Sequence, residues 1–290
     1  MINPDATHPR QTIAELIEIA NHFLTPHSET PRLDAEVLLC HCLEQSRTFL
    51  RAWPNHPLSP EQLNAFWKLI GERHRGIPVA HLTGYREFWS REFFVNANVL
   101  IPRPDTELLV ELTLDRLAPN IEAKIIDLGT GSGALAITIA LERPRLLVTA
   151  CDLSDSALAI ARLNAQRLNA KQVSFIHSDW FSHIDETDFD IVLSNPPYIA
   201  EDDPHLMQGD LRFEPRNALV AEEKGLSDID TLAKQSRSHL KPNGHLLIEH
   251  GYDQQHAVQA IFKHYGYHQT TTHHDLSGNP RVTSGTWNPA

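Results

Sequence analysis

From residue 106 onward the sequence alternates short β-prone runs with helical ones, and this alternation limits the possible folds more than any other feature. Helix Thr106–Leu117 precedes strand Lys124–Leu128, helix Gly133–Leu141 precedes strand Leu147–Cys151, and helix Asp155–Leu168 precedes strand Val173–His177. The apolar run Phe189–Ser194 reads as a buried strand. Helix Asp228–Leu240 then leads through Pro242-Asn243-Gly244 to strand His245–Glu249, followed by helix Asp253–Tyr265 and a β-prone tail. Strands separated by helices pair in parallel, with helices covering both faces. The expected class is therefore α/β.

Residues 1–75 read as a separate helical domain. Ile13, Leu16, Ile17, Ala20 and Leu24 recur at helical spacing. Thr30-Pro31 reads as an N-cap followed by proline at the first helical position, with Leu33, Val37, Leu38 and Cys42 along the apolar face. Ser59-Pro60-Glu61-Gln62 has the form of a capping box, and Leu63, Phe66, Trp67 and Ile70 form the stripe behind it. Residues 76–105 change character. Gly76, Pro78, Gly84, Pro102 and Pro104 punctuate β-prone pieces such as Phe93-Phe94-Val95, which suggests a hairpin-like connector.

Composition narrows the function classes. A formal net charge of -12 lacks the basic footprint of a free-standing nucleic-acid binder. Cys40, Cys42 and Cys151 make no disulfide framework, which fits a reducing cytosol. Met1-Ile2-Asn3-Pro4-Asp5 lacks a charged-then-apolar signal pattern, and no apolar run is long enough to span a bilayer. Cys40-His41-Cys42 sits inside a helical pattern with nothing downstream to complete a zinc site, so these cysteines read as structural. His273-His274 reads as an exposed pair rather than a ligand site.

The chemistry gathers at strand ends. Asp127-Leu128-Gly129-Thr130-Gly131-Ser132-Gly133 closes the first strand of the alternation and opens a helix. Its glycines allow a tight turn and close approach of a ligand to the backbone. The spacing is G-x-G-x-G, not the G-x-G-x-x-G of dinucleotide enzymes, and an acid precedes it. A carboxylate there opposes a pyrophosphate and favours a cation, so S-adenosylmethionine fits better than NAD. Asp152, at the end of the second strand, suits the two ribose hydroxyls. Asp179 and Trp180, after the third strand, suit the adenine amino group and ring.

Asn195-Pro196-Pro197-Tyr198 follows the strand Phe189–Ser194. Two prolines cannot continue a sheet ladder, and they hold the chain in a rigid extended turn. The turn presents the Asn195 side chain, backbone carbonyls and an aromatic ring at one point. Such an acceptor-rich corner suits a planar –NH2 group. In this fold ligands lie at the carboxyl ends of the strands, so glycine loop, ribose acid, adenine pair and proline turn converge on one crevice.

With those residues in view, the sequence resembles the class I S-adenosylmethionine-dependent methyltransferases. More narrowly, it is similar to the protein-glutamine methyltransferases that modify peptide chain release factors. The likeness runs through His81–Trp89, Leu100–Glu107, the glycine loop, Ser178–Trp180, Asn195–Ile199, Gly209–Pro215 and Glu249–Gly251. It implies a Rossmann-like methyltransferase domain over 106–290 with a mostly parallel seven-stranded sheet, a β-hairpin connector over 76–105, and a substrate-docking domain over 1–75. It implies that Asp127, Gly129, Thr130, Gly131, Ser132, Gly133, Asp152, Asp179, Trp180 and Asn195 hold S-adenosylmethionine. It also implies that Asn195, Pro196, Pro197 and Tyr198 receive the glutamine of a Gly-Gly-Gln loop and act in catalysis, with S-adenosylhomocysteine as product.

The expected partners are release factors, in the cytoplasm, with no membrane, no direct nucleic acid and no metal. A ribosomal-protein glutamine and an exocyclic amine of nucleic acid are the alternatives, since the proline turn serves those enzymes as well. The segment Ala200–Arg216, rich in charge and proline, is a candidate lid. The sequence leaves the roles of Arg103 and Arg212 open between partner contact and solvation.

Overall fold

The computed structural model describes residues 11–289, so Met1–Asp5 lie outside the described residues. The chain divides into two compact units: residues up to Gly84 together with Met207–Phe213, and Tyr85–Leu206 together with Glu214 onward. The division falls within the expected connector.

The first unit is helical: α1 (Ile13–Leu24), α2 (Pro31–Leu43), α3 (Arg47–Ala52), α4 (Pro60–His74) and α5 (Val79–Thr83). Thr12 and Glu15 form a capping box at α1, which buries Ile13, Leu16, Ile17, Ala20 and Leu24 as their spacing predicts. Ser59 and Gln62 form the second box, at α4. Two details differ from the sequence reading. Thr30 does not cap α2; its hydroxyl donates instead to Asp34 Oδ1 at 3.0 Å. Leu33 is exposed rather than part of the apolar face. Asp34 is the centre of the unit's polar structure. It also accepts from Ser28 Oγ at 2.8 Å and Arg73 Nε at 2.7 Å. Arg73 in turn reaches Asp210 at 3.0 Å.

The second unit opens with the hairpin β1 (Tyr85–Phe88) and β2 (Arg91–Phe94), then α6 (Glu107–Asp115). The alternation follows as β3 (Lys124–Leu128), α7 (Ala134–Glu142), β4 (Leu147–Asp152), α8 (Asp155–Leu168), β5 (Val173–His177) and β6 (Phe189–Ser194). After it come α9 (Glu222–Gly225), α10 (Ser227–Ser236), β7 (Leu240–Glu249), α11 (Gln255–His264), β8 (His268–His274) and β9 (Pro280–Trp287). Among the described residues the sheet has seven strands in the order β5-β4-β3-β6-β7-β9-β8. The first five in that order pair in parallel; β9 runs antiparallel to β7 and to β8.

Alternate side chains of each strand enter opposite cores. Ile125, Leu193 and Leu247 pack with Ala136, Ile137 and Ala140 of α7. Ile126, Val192, Leu246 and Ile248 pack with Leu232 of α10 and Val258 and Phe262 of α11. Both faces are buried, which is why these strands read as unbroken apolar runs.

Helix α10 stops at Ser236, short of the expected Leu240, and Pro242-Asn243-Gly244 lies within β7 rather than before it. The pairing with β6 slips there, from Phe189↔Leu240 to Ile191↔His245, so the proline turn is absorbed as a bulge. His273 is half-buried and hydrogen-bonded to Ser284 Oγ at 2.9 Å, so only His274 of that pair is exposed. No helix among the described residues is long and apolar enough to cross a membrane.

Candidate active site

Strands β3, β4, β5, β6 and β7 deliver Leu128, Asp152, His177, Ser194 and Glu249 to one edge of the sheet. The topology reverses between β3 and β4 on one side and β6 on the other, and a crevice opens at such a switch point. Here it is an open cleft of about 220 Å³. Gly129, Gly131, Asp152, Asp179, Trp180, Asn195 and Pro197 all line it.

The glycine loop folds back over the end of β4. The amides of Gly129 and Thr130 both donate to the Cys151 carbonyl, at 2.9 Å each. Gly129 has φ +74, a region costly for other residues, and a Cβ there would stand 3.3 Å from the Trp180 ring. Among the described residues, nothing beyond its own chain neighbours lies within 4 Å of where a Gly131 Cβ would be, so the loop is open to a ligand at that point. Asn164 of α8 holds the loop from below: its amide nitrogen donates to the Ser132 carbonyl and to the Phe94 carbonyl, both at 2.9 Å. This buried asparagine ties the hairpin to the glycine loop, and nothing in its sequence context singles it out.

Asp127 is buried beneath that loop. Thr130 Oγ1 donates to its Oδ2 at 2.6 Å, while Oδ1 is buried without a hydrogen-bond partner among the described residues. Burial pushes its carboxyl up to about 7, against the Thr130 hydroxyl and the Ala136 backbone amide. An orphaned carboxylate oxygen under an open glycine loop is what a cationic ligand would satisfy, and a pyrophosphate would not. Asp152 accepts from the Gly131 amide at 2.9 Å and the Ser154 amide at 2.8 Å. Its carboxylate thus braces the loop it faces, and burial raises its pKa. Asp179 and Trp180 stand opposite; Trp180 holds φ +47, at a sharp turn after β5.

At the end of β6, Ser194 Oγ donates to the Leu128 carbonyl at 2.6 Å and locks the proline turn beside the glycine loop. Asn195 Nδ2 donates to Thr106 Oγ1 at 3.1 Å. Tyr198 is pinned at both ends. Its hydroxyl donates to Glu249 Oε1 at 3.4 Å, and its carbonyl accepts from Gln254 Nε2 at 3.0 Å. Gly225 passes so close that a Cβ there would overlap that carbonyl at 2.0 Å. Burial raises the Tyr198 phenol, with the nearby Glu249 adding to the shift.

The segment Ala200–Arg216 starts from a stitched base. Ile199 bridges Val220, and its amide and carbonyl bond Leu219 and Ala221 at 2.9 and 3.0 Å. Pro215 lines the cleft, as do Asn217 and Ala218 just beyond the segment. Arg103 is no free cation: it pairs with buried Glu214 at 2.6 Å, and Glu214 also accepts from the Ile101 amide at 3.2 Å. Arg212, in the helical unit, lies over the Phe213 ring at 5.2 Å.

Thr106, Glu249, Asn164 and Asp228 are site residues that sequence reading missed as such. Asp228 lines the cleft, half-buried, and its pKa is raised by burial and by the nearby Asp179. The position of an acid at the start of the helix before β7 was the only available signal.

A family model described as the PrmC N-terminal domain matches residues 15–84, and one described as the methyltransferase small domain matches 104–210. The release factor glutamine methyltransferase of Shewanella oneidensis is 47% identical over 275 residues, which is 95% of this chain and 96% of that one. Its counterpart in Escherichia coli K12 is 48% identical over 258 residues, 89% of this chain and 93% of that one. A crystal structure of a methyltransferase from Pyrococcus furiosus matches with a TM-score of 0.53 at 16% identity, covering 70% of this chain and 91% of that one. The last comparison bears on the fold alone.

Proposed function

This chain belongs to the family of release factor glutamine methyltransferases, and from that premise we propose how its cleft methylates a glutamine side chain. The carrying observation is that Asn195 and Pro197 line the same cleft as Gly129, Gly131 and Asp152, so acceptor corner and glycine loop serve one reaction.

S-adenosylmethionine, when bound, supplies an electrophilic methyl group on a positively charged sulfur. The loop Gly129–Gly133, with Thr130 and Ser132, would bind its amino-acid end, and the orphaned oxygen of Asp127 favours the positive charge there. Asp152 would accept from the ribose hydroxyls with the lone pairs that Gly131 and Ser154 leave over. Asp179 would accept from the adenine amino group, and Trp180 would pack on the ring.

The acceptor nitrogen is an amide, whose lone pair is delocalised. The Asn195 side-chain oxygen and the Pro196 carbonyl would accept its two N–H bonds. That draws electron density onto nitrogen and turns the lone pair toward the methyl group. Pro197 fixes the turn, and Tyr198 holds the amide plane by packing. Positioning of this kind is worth several kcal/mol, on the order of 7 in favourable cases. Fixed acceptors add to it as charge develops on nitrogen. The new N–CH3 bond leaves the nitrogen positively charged and its N–H acidic, and one proton then passes to solvent water, so no strong base is needed before transfer.

The substrate is the glutamine of a release factor's Gly-Gly-Gln loop, modified at its side-chain nitrogen. A single glutamine gives too little surface for specificity, and the helical unit would dock the rest of the factor. Ile19 and Phe23, exposed one turn apart on α1, suit that role. The work belongs in the cytoplasm, where three free cysteines stay reduced. The test is mass spectrometry of a purified release factor after incubation with the protein and S-adenosylmethionine. One added methyl on the Gly-Gly-Gln glutamine is expected. Asn195→Ala is expected to lower its rate by about 10³-fold with the fold intact. An unmodified factor beside demonstrably bound cofactor would overturn the reading.

A further inference from the structure

Asn164 lies in α8 with no solvent exposure, and both protons of its amide are used. Its Oδ1 accepts from the Phe94 amide at 2.7 Å. Its Nδ2 donates to the Phe94 carbonyl and to the Ser132 carbonyl. The grip on Phe94 is two-sided. Turning the amide over would set its NH2 against the Phe94 N–H and its oxygen against two carbonyls. A buried amide costs stability unless it is paired, so this one is kept for what it joins.

One stripe of α8 supports the glycine loop. Ala157 lines the cleft. One turn on, Ala161 Cβ lies 3.2 Å from where a Gly133 Cβ would stand. Asn164 follows and takes the Ser132 carbonyl. The Gly133 amide donates to the Thr130 carbonyl at 2.9 Å, so the peptide between Ser132 and Gly133 is held from both sides. A shift of the loop therefore reaches Asn164 directly.

Phe94 ends β2, and the chain runs on as a strap over residues 95–103. Val95, Val99 and Ile101 anchor it by burial. Asn96 folds it into a tight turn, accepting from the Asn98 amide at its Oδ1 and from the Val99 amide at its carbonyl, at 2.9 and 3.2 Å. Asn98, Val99 and Leu100 line the cleft. Leu100 and Arg103 also line a smaller cavity that Asn195 shares with the glycine loop. The far end of the strap is held by a second buried side chain, Glu214, through the Ile101 amide and Arg103.

We propose that Asn164 and Glu214 are positioning residues that make this strap a link between the two halves of the site. Asn164 passes the setting of the glycine loop to one end, Glu214 fixes the other, and the strap presents its wall to the glutamine corner when the loop is set by its cofactor. Cofactor and protein substrate then bind with positive coupling, each tightening the other by the same factor. This rests on the reading of the cleft given above and deepens it. The loaded enzyme is the form that takes up a release factor, and the unloaded enzyme lets it go.

The experiment is calorimetry on wild type, Asn164→Ala, Asn164→Asp and Glu214→Ala, with thermal melting to check folding. Each is titrated with S-adenosylhomocysteine, and then with a purified release factor in the presence and absence of saturating S-adenosylhomocysteine. Wild type is expected to bind the factor about tenfold more tightly when loaded. Asn164→Asp keeps an acceptor for the Phe94 amide and loses the donors to both carbonyls. It and Asn164→Ala are expected to bind S-adenosylhomocysteine about tenfold more weakly and to shrink the coupling to within about twofold. Glu214→Ala leaves the Asn164 grip in place. It is expected to keep S-adenosylhomocysteine affinity within about twofold of wild type and still lose the coupling.

A purely structural Asn164 would lower the melting temperature and leave the ratio of loaded to unloaded affinity at the wild-type value. Wild-type coupling in folded Asn164→Asp or Glu214→Ala would overturn the link. Absence of coupling in the wild type would overturn it without any variant. If S-adenosylhomocysteine fails to bind wild type at all, the reading of the glycine loop fails, and this inference with it.

Discussion

Asp34 in the helical unit and Asp127 in the sheet unit are both buried aspartates, and their surroundings are opposite. Asp34 is saturated, accepting from Ser28, Thr30 and Arg73. Asp127 has one hydroxyl partner and the support of the Ala136 amide, and among the described residues its Oδ1 is buried without a hydrogen bond. A buried charge that is fully paired holds a structure together. One left half-paired costs stability and is retained where a ligand completes it. The helical unit is built to be finished before any ligand arrives, and the sheet unit's crevice is finished by its ligand.

The contrast can be broken most directly at Arg73. Its side chain is 11% exposed, and its loss in Arg73→Ala strands Asp34 with two hydroxyls. The expected cost is about 3–5 kcal/mol, read by urea unfolding. A loss below about 1 kcal/mol would mean that the pair is no better than a surface ion pair. Asp127→Asn sharpens the same contrast from the other side. It should move the melting temperature by less than about 3 °C. It should also weaken S-adenosylmethionine binding by about tenfold in calorimetry. A large fall in melting temperature with unchanged binding would make Asp127 a structural residue like Asp34.

The pH dependence of stability tests the sheet unit's buried carboxyls separately. Burial pushes Asp127 and Glu249 from ordinary values of 3.8 and 4.5 up to about 7. Between those limits the folded protein holds protons that the unfolded chain has released. The stability they contribute is thus present at acid pH and lost as pH rises to about 7. The double variant Asp127→Asn/Glu249→Gln should lack that decline, so wild-type stability relative to it should fall from pH 4.5 to 7. A relative stability that rises over this range in urea titrations would refute the assignment.

The strands and the glycine loop were legible because each is local. Ile125 and Ile126, or Leu246 and Leu247, announce burial on both faces of a sheet, and Gly129–Gly133 sits where a strand hands over to a helix. The proline turn was legible for the same reason. Thr106 and Glu249 were not, since their meaning lies across the fold: Thr106 meets Asn195 across 89 residues of sequence, and Glu249 meets Tyr198 across 51. Thr30 misled because its hydroxyl turns to donate to the buried Asp34 carboxylate instead of accepting from a helix amide. Pro242-Asn243-Gly244 misled because a bulge absorbs a turn signature that, in isolation, ends a strand.

The strand order has a consequence for biosynthesis. Strand β9 lies between β7 and β8, although it is made after both. When β7 leaves the ribosome it can pair with β6, but its other edge stays open until β9 arrives. That edge carries Leu246, Leu247 and Ile248, all fully buried in the finished sheet. Vectorial synthesis thus exposes an apolar, unpaired edge for as long as translation takes to reach Val282, which pairs with Glu249. A ribosome stalled between β8 and β9 would hold a chain with its cofactor loop complete, its β7 edge open to other chains, and Glu249 without its outer neighbour.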